Sequence, residues 1–173
     1  MGNPDAWDRL WTPHRMAYIR GEGKPVDPAQ ASQCPFCQAP HGAGKDDDLV
    51  VARGQSVYAV LNKFPYNSGH VLICPYRHVA DYVDLTSQET AEFSEFTKLA
   101  IRALTECSAP QGFNIGMNQG QIAGAGISAH LHQHIVPRWG GDMNFMPVVG
   151  GTKVLPQLLE KTRELVADAW AGL

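Results

Sequence analysis

The stretch from Asn114 to Asp142, NIGMNQGQIAGAGISAHLHQHIVPRWGGD, holds three histidines at alternating positions: His130, His132 and His134. Successive side chains of an extended strand point to opposite faces, so this spacing predicts three imidazoles on one face of a strand. A purely structural role is disfavoured, because neutral imidazoles gain little from crowding and imidazolium ions repel one another.

A glycine- and alanine-rich loop, from Gln121 to Ser128, leads directly into this strand. With little side-chain bulk, the backbone N–H groups of such a loop can approach a bound anion, which makes Gly124, Gly126 and Ser128 candidate binding residues. Imidazoles beside an anion-binding loop indicate chemistry on phosphate. A metal site made of the three histidines is the alternative. A single strand cannot easily supply three ligands to one ion, because neighbours on one strand face lie about 7 Å apart.

The run H-L-H-Q-H-I-V-P-R resembles the signature of the histidine triad (HIT) superfamily of nucleotide hydrolases and transferases. Its continuation, W-G-G-D-M-N-F-M-P-V-V-G-G-T-K-V, is similar to a narrower branch, the bacterial diadenosine tetraphosphate phosphorylases. The resemblance extends from roughly Leu10 to Trp170. It implies an α+β fold with helices packed on a five-stranded antiparallel sheet, and a homodimer.

Length and composition agree with a single globular domain. The chain has 173 residues, of which 44% are hydrophobic and 18% are charged, so neither disorder nor a fibrous class is indicated. The formal net charge of −3 argues against a general nucleic-acid partner. We see no signal peptide and no apolar run of about 20 residues, so we expect a cytoplasmic protein without a membrane partner.

We expect one HIT domain over residues 1–173, with an N-terminal helical arm and connector (1–33), a core (34–142) and a C-terminal strand and helix (143–173). Pro13 interrupts a short helix predicted between Asp5 and Ile19, and an extended connector follows. A capping box at Thr86-Ser87-Gln88-Glu89 opens a long amphipathic helix. A terminal helix is predicted over Leu155 to Trp170, with Leu158, Leu159, Thr162, Leu165 and Val166 inward. Strands are predicted over Leu49–Arg53, Ser56–Asn62, His70–Pro75, Phe113–Asn118 and His130–Pro137, and a sixth over Asn144–Val149.

Cys34-Pro35-Phe36-Cys37 is a C-x-x-C motif, which in an intracellular protein indicates zinc or redox chemistry rather than a structural disulfide. Redox motifs open a helix within a βαβ unit. This one is predicted to lie between two loops, which favours zinc. The two thiolates are half of a four-ligand structural site. Cys74 and Cys107 fall in a predicted strand and helix, where a buried cysteine usually behaves as a small hydrophobic residue.

The resemblance implies how the histidines act. His132 would attack the α-phosphorus of a nucleotide to form a covalent nucleotidyl-histidine, and His134 would hydrogen-bond the same phosphate. His70 matches a family histidine near the site. Asn62 and Asn118 match family positions that contact ribose or phosphate, although capping a turn or strand end is an equal alternative for each.

His130 matches a different family position. Zinc-containing relatives hold their metal with a C-x-x-C motif, a histidine after the third strand and the first triad histidine. The resemblance therefore implies a structural zinc site at Cys34, Cys37, His78 and His130. No organic cofactor is expected.

One position departs from many HIT hydrolases, which carry Ser or Thr three residues before the first triad histidine. Ile127 stands there and Ser128 follows. Ser128 is two positions before His130, so in an extended strand it lies on the same face as the histidines and could face the substrate.

Two further residues are candidates for the substrate site. Trp139 could stack on a base or cover the sheet edge, and Lys153 could bind a second anion or be solvated.

The resemblance to the phosphorylase branch implies phosphorolysis of diadenosine tetraphosphate by inorganic phosphate, giving ATP and ADP. One alternative is a HIT hydrolase of dinucleoside polyphosphates or nucleoside phosphoramidates. Another is a nucleotide-binding regulatory module with little turnover. A zinc-ribbon nucleic-acid binder is disfavoured by the acidic charge balance.

Overall fold

The computed structural model describes residues 30–42, 49–143 and 155–173. Within these ranges five strands form one antiparallel sheet in the order β1-β2-β3-β5-β4. The strands are β1 (Val50–Arg53), β2 (Val57–Leu61), β3 (Val71–Pro75), β4 (Gly112–Met117) and β5 (Gln133–Arg138). The predicted N-terminal helix, most of the connector, the sixth strand and Lys153 lie outside the described residues.

The long helix α2 (Ser87–Ser108) begins at the predicted capping box. The Glu89 N–H donates to the Thr86 hydroxyl, and the Glu89 carboxylate accepts from the Thr86 N–H. Its apolar stripe packs on the sheet, as the three- and four-residue spacing predicts. The buried members of this stripe are Phe93, Phe96, Ala100, Ala103 and Leu104.

The terminal helix α3 (Leu159–Ala171) packs against α2 and β1, and its buried residues are Thr162 and Val166. The predicted start at Leu155 is wrong. Leu155 precedes a proline, which disfavours the helical region, and Leu158 is in an extended conformation as the N-cap. Leu158 is 76% exposed rather than inward.

The two faces of the sheet carry different elements. Residues such as Ala59 and Ile73 face α2 and α3 in the main hydrophobic core. Alternate residues, including Tyr58 and Leu72, form a second buried cluster on the opposite face. Leu72 pairs directly with His134 of β5. Because paired residues of neighbouring strands lie on the same face, His134 lies on the face away from the long helices.

The triad strand begins later than predicted. β5 starts at Gln133, and His130 to His132 precede it. The Leu131 N–H donates to the carbonyl of Val79 (2.7 Å), which lies beyond the end of β3, so this segment leaves the regular ladder with β3. The expectation of three histidines within one strand is therefore wrong.

The C-x-x-C motif also differs from its prediction. A one-turn helix, α1 (Pro35–Gln38), follows Cys34 directly, with Pro35 at the first helical position, where proline is pre-organised for a helix. The motif does open a helix. α1 is not part of a βαβ unit, however, because every strand pair in the described sheet is antiparallel.

None of the helices described is long and apolar enough to cross a membrane.

An ion pair fixes the connection between β3 and α2. The Arg77 guanidinium donates to both carboxylate oxygens of Glu89 (2.9 and 2.7 Å). The hydrogen bond from Arg77 lowers the pKa of Glu89 to about 2. Because Arg77 immediately precedes His78, the pair also holds the segment that carries a predicted metal ligand.

We expect Glu89→Gln to lower the free energy of unfolding at pH 7, measured by urea denaturation. Because the folded-state pKa is depressed, this stabilisation is present above the ordinary carboxyl value of 4.5 and is lost as pH falls from there towards about 2. The difference in the free energy of unfolding between variant and wild type should narrow over that range. Glu95→Gln, which breaks the exposed Lys98 pair on the same helix, is the control and should change stability little. A difference that is the same at pH 3 and pH 7 would contradict this account.

Candidate active site and metal cluster

Four predicted metal ligands meet on the sheet face opposite the long helices. The ligand atoms of Cys34, Cys37, His78 and His130 all lie within 4.8 Å of one another. The His130 Nδ1 atom is 3.4 Å from each sulfur, and the His78 Nδ1 atom is 3.2 Å from the Cys37 sulfur. The structure therefore brings together residues that are 96 positions apart in sequence.

The protonation of His130 suits a metal ligand. Its Nε2–H donates to the Pro75 carbonyl (2.9 Å), so in the neutral ring the Nδ1 lone pair faces the two sulfurs. Burial lowers the pKa of His130 to about 4, which keeps the ring neutral near pH 7. Burial and the adjacent Cys34 thiol raise the pKa of Cys37 to about 11. A cation between the two sulfurs would replace their protons, and two thiolates with two imidazoles match a tetrahedral zinc site.

The α1 turn is anchored to the sheet by more than the cysteines. The Tyr58 hydroxyl donates to the Phe36 carbonyl (2.6 Å), and Phe36 and Ala39 pack against the second buried cluster. A helix of four residues is too short to be stable alone, so its position depends on these contacts.

His132 has the tautomer of a nucleophile. Its Nδ1–H donates to the backbone carbonyl of His130 (2.8 Å), which leaves the lone pair on Nε2. The residue is 7% exposed, and burial lowers its pKa, so the ring is neutral near pH 7. A neutral imidazole whose other nitrogen donates to a fixed acceptor can attack phosphorus.

A second hydrogen-bonded chain sets the tautomer of His134. The Tyr66 N–H donates to His70 Nδ1 (3.0 Å), so the proton of the neutral His70 ring is on Nε2. His70 Nε2–H then donates to His134 Nδ1 (2.9 Å). The neutral His134 ring therefore carries its proton on Nε2, where it can donate to a phosphate oxygen. The Tyr66 ring stacks on both imidazoles, with centroids 4.8 and 5.5 Å away.

The two predicted asparagines lie at the ends of β2 and β4. The Asn62 carbonyl oxygen accepts from the Phe64 N–H (2.9 Å), and its amide nitrogen is 3.4 Å from His70 Nδ1. Asn62 thus caps the strand end and helps to orient His70. Asn118 is half-buried, and its amide nitrogen would be 4.0 Å from a Cβ placed on Gly124. Gly124 has a positive φ of 89°, so glycine is required for this backbone conformation.

Ser128 and Gly126 are half-buried and lie in the bends and turns that precede His130. The argument from strand parity does not apply to Ser128, because β5 begins only at Gln133. Both residues remain predicted phosphate contacts on account of their place in the loop.

Trp139 contacts the helix side of the domain. Its indole N–H donates to the Ser108 carbonyl at the end of α2 (3.2 Å). This contact is the one expected of a side chain that covers the sheet edge, and stacking on a base stays a prediction.

Two aromatic residues of the site were not singled out as site residues from the sequence. Phe36 lies 4.7 Å from His132 between ring centroids, and Tyr66 stacks on His70. The position of Phe36 inside the C-x-x-C motif was a usable signal. Tyr66 lies in an irregular loop and gives no periodic signal.

The chain is similar to known proteins in sequence and in fold. The family model described as "HIT domain" matches residues 43–141. The chain is 49% identical over 177 residues to the AP-4-A phosphorylase of Mycobacterium tuberculosis, covering 99% of this chain and 88% of that protein.

Two solved structures share the fold. A zinc-bound histidine triad family protein from Mycobacterium smegmatis aligns with a TM-score of 0.66 at 24% identity, over 83% of this chain and 96% of that one. A histidine triad nucleotide-binding protein from Sulfolobus tokodaii gives a TM-score of 0.66 at 24% identity, over 81% and 93%. Together with the family model and the relative of nearly full length, these likenesses lead to one conclusion: the chain belongs to the HIT domain family.

Proposed function

We propose that this protein is a diadenosine tetraphosphate phosphorylase that works through a covalent adenylyl-histidine. The observation that carries the proposal is the buried, neutral His132, whose Nδ1–H is held by the His130 carbonyl and whose Nε2 lone pair is available. The AP-4-A phosphorylase at 49% identity supports the substrate.

In the first step, His132 Nε2 forms a bond to the α-phosphorus, and the bond to the bridging oxygen breaks to release ATP. In the second step, an oxygen of inorganic phosphate attacks the same phosphorus. The N–P bond breaks, ADP leaves, and His132 returns to its neutral form. The His130 carbonyl stabilises the positive charge that the adenylylated ring carries, because it accepts the Nδ1–H throughout.

His134 donates its Nε2–H to a non-bridging oxygen of the α-phosphate. The donor is held in place before the reaction by the hydrogen bonds through His70 and Tyr66. A pre-organised donor costs no reorganisation when charge develops on the phosphate. This arrangement favours an enzyme over a regulatory nucleotide-binding module, which needs no pre-organised nucleophile and donor.

We further propose that Gly124, Gly126 and Ser128 bind the polyphosphate or the incoming phosphate, and that Asn118 contacts the nucleotide. Trp139 and Lys153 remain predicted substrate residues, and Asn62 acts through His70. The proposal includes a cytoplasmic homodimer.

A zinc ion held by Cys34, Cys37, His78 and His130 would be structural, tying the α1 turn to the segment before β5. The two cysteines and two histidines fit a structural zinc ion, because the His130 lone pair faces both sulfurs. No step of the reaction passes through the metal. The His130 side chain belongs to the cluster while its carbonyl fixes His132, so the cluster stabilises the tautomer of the nucleophile.

We expect His132→Ala to lower kcat for diadenosine tetraphosphate by about a thousandfold or more while the protein stays folded, because the covalent intermediate forms on this side chain. Steady-state kinetics and circular dichroism measure the two effects. His41→Ala, at an exposed histidine of the turn after α1, is the matched control and should turn over like wild type. A folded His132→Ala protein with near-normal kcat would exclude this nucleophile.

Turnover should depend strongly on inorganic phosphate. With ³²P-labelled phosphate, the label should appear as the β-phosphate of ADP. Ser128→Ala should raise the KM for phosphate several-fold, because a donor to the anion is lost, whereas Ser87→Ala at the exposed start of α2 should not. Full-rate turnover without phosphate, giving AMP and ATP, would identify the enzyme as a hydrolase rather than a phosphorylase.

Elemental analysis should find about one zinc ion per chain. Cys34→Ser combined with Cys37→Ser should lose the metal and lower the thermal midpoint, whereas Cys107→Ser should keep it. The affinity for zinc should fall as pH falls, because both thiols must release their protons. The zinc site would be contradicted by a Cys34–Cys37 disulfide in the purified wild-type protein. It would also be contradicted by wild-type protein that is fully stable without zinc.

A further inference from the structure

Phe36 lies between the two cysteines of the cluster, and its ring contacts the imidazole of His132. The ring centroids are 4.7 Å apart with an interplanar angle of 37°. The same ring meets His130 edge-on at 5.6 Å. We infer that Phe36 is a positioning residue for His132, holding the plane of the imidazole so that Nε2 faces the α-phosphorus. This inference rests on the proposed function.

A hydrogen bond alone does not fix the imidazole plane. The bond from Nδ1 to the His130 carbonyl selects the tautomer, but the ring can still tilt about that bond. Two rings restrict the tilt: Phe36 lies against the imidazole, and His134 meets it edge-on at 5.1 Å and 72°. His134 also contacts the phosphate in the proposed reaction, so Phe36 is the neighbour whose contact with His132 is purely steric.

Phe36 can carry out this role because its own backbone is fixed. The Tyr58 hydroxyl donates to its carbonyl (2.6 Å), and Cys34 and Cys37 on either side lie within the cluster. The one-turn helix that carries Phe36 could not hold the ring without these anchors. The C-x-x-C motif thus contributes metal ligands and a wall of the nucleophile site through the same turn.

The kinetic consequence is specific. A misplacement of about 1 Å in a reacting group can cost about a hundredfold in rate. Phe36 has no hydrogen-bonding group in its side chain to offer the polyphosphate, so its loss should affect attack more than substrate binding. kcat should therefore fall while KM stays nearly constant.

The experiment compares Phe36→Ala, Phe36→Leu and Phe36→Tyr with the zinc-loaded wild type. We expect kcat for diadenosine tetraphosphate to fall about ten- to hundredfold in the alanine variant, less in the leucine variant, and to return close to wild type with tyrosine, whose ring is flat. KM should change by less than about twofold and zinc content should stay equal. The ¹⁵N and ¹³C spectra of the His132 imidazole should show the proton on Nδ1 in wild type and in Phe36→Ala alike. The order parameter of the ring C–H bonds should be lower in Phe36→Ala, because the ring can then tilt about its hydrogen bond.

Trp170→Ala is the matched control, because it removes an aromatic ring that packs on Phe96 at the helix side of the domain. It should lower stability without changing kcat or the His132 order parameter. A folded Phe36→Ala or Phe36→Leu protein with wild-type kcat and an unchanged His132 order parameter would overturn the inference and leave the proposed function intact. If Phe36→Ala loses zinc or does not fold, the leucine and tyrosine variants decide the question. Wild-type protein that does not turn over diadenosine tetraphosphate would overturn the proposed function, and the order parameter would still test the role of Phe36.

Discussion

The hydrogen bond from His132 Nδ1 to the His130 carbonyl is the constraint on which the site depends. A carbonyl oxygen can only accept, so this bond leaves one arrangement of the neutral ring, with the lone pair on Nε2. The bond joins residues two positions apart, within the segment before β5 that lies outside the regular ladder with β3. That segment is fixed in turn by the Val79 carbonyl and by the cluster that takes the His130 side chain.

In our proposal, the three histidines that lie close together in sequence have three different tasks. The His130 ring faces the cysteines, and its carbonyl accepts the hydrogen bond from His132. His132 attacks the α-phosphorus and His134 donates to the phosphate in our proposal. His132 has the opposite tautomer to His130 and His134, because the hydrogen-bond partners of the three rings differ. His130 donates through Nε2, His132 donates through Nδ1, and His134 accepts at Nδ1 from His70. Backbone groups set most of this pattern, since the carbonyls of Pro75 and His130 and the N–H of Tyr66 are all main-chain atoms.

The sequence predicted the parts of this structure that follow from local patterns. The Thr86–Glu89 capping box predicted the start of α2, and the strand predicted over His70–Pro75 is β3, which begins one residue later. A C-x-x-C motif alone supplies only two metal ligands. The two histidines of the cluster were implied by the family resemblance. The start of β5 and the role of Phe36 were not predictable in this way. They depend on contacts between segments far apart in sequence, Leu131 with Val79 and Phe36 with His132, which no local periodicity records.

The central claim is that His132 becomes covalently adenylylated. Wild-type protein mixed with diadenosine tetraphosphate in the absence of phosphate, then quenched at alkaline pH, can be examined by intact mass spectrometry and peptide mapping. The account predicts an added adenylyl group on the peptide that contains His132, a stoichiometric release of ATP, and conversion of the trapped group to ADP when phosphate is added before the quench. Protein that stays unmodified in this mixture although it turns over diadenosine tetraphosphate once phosphate is added, or an adenylyl group on a residue other than His132, would contradict it.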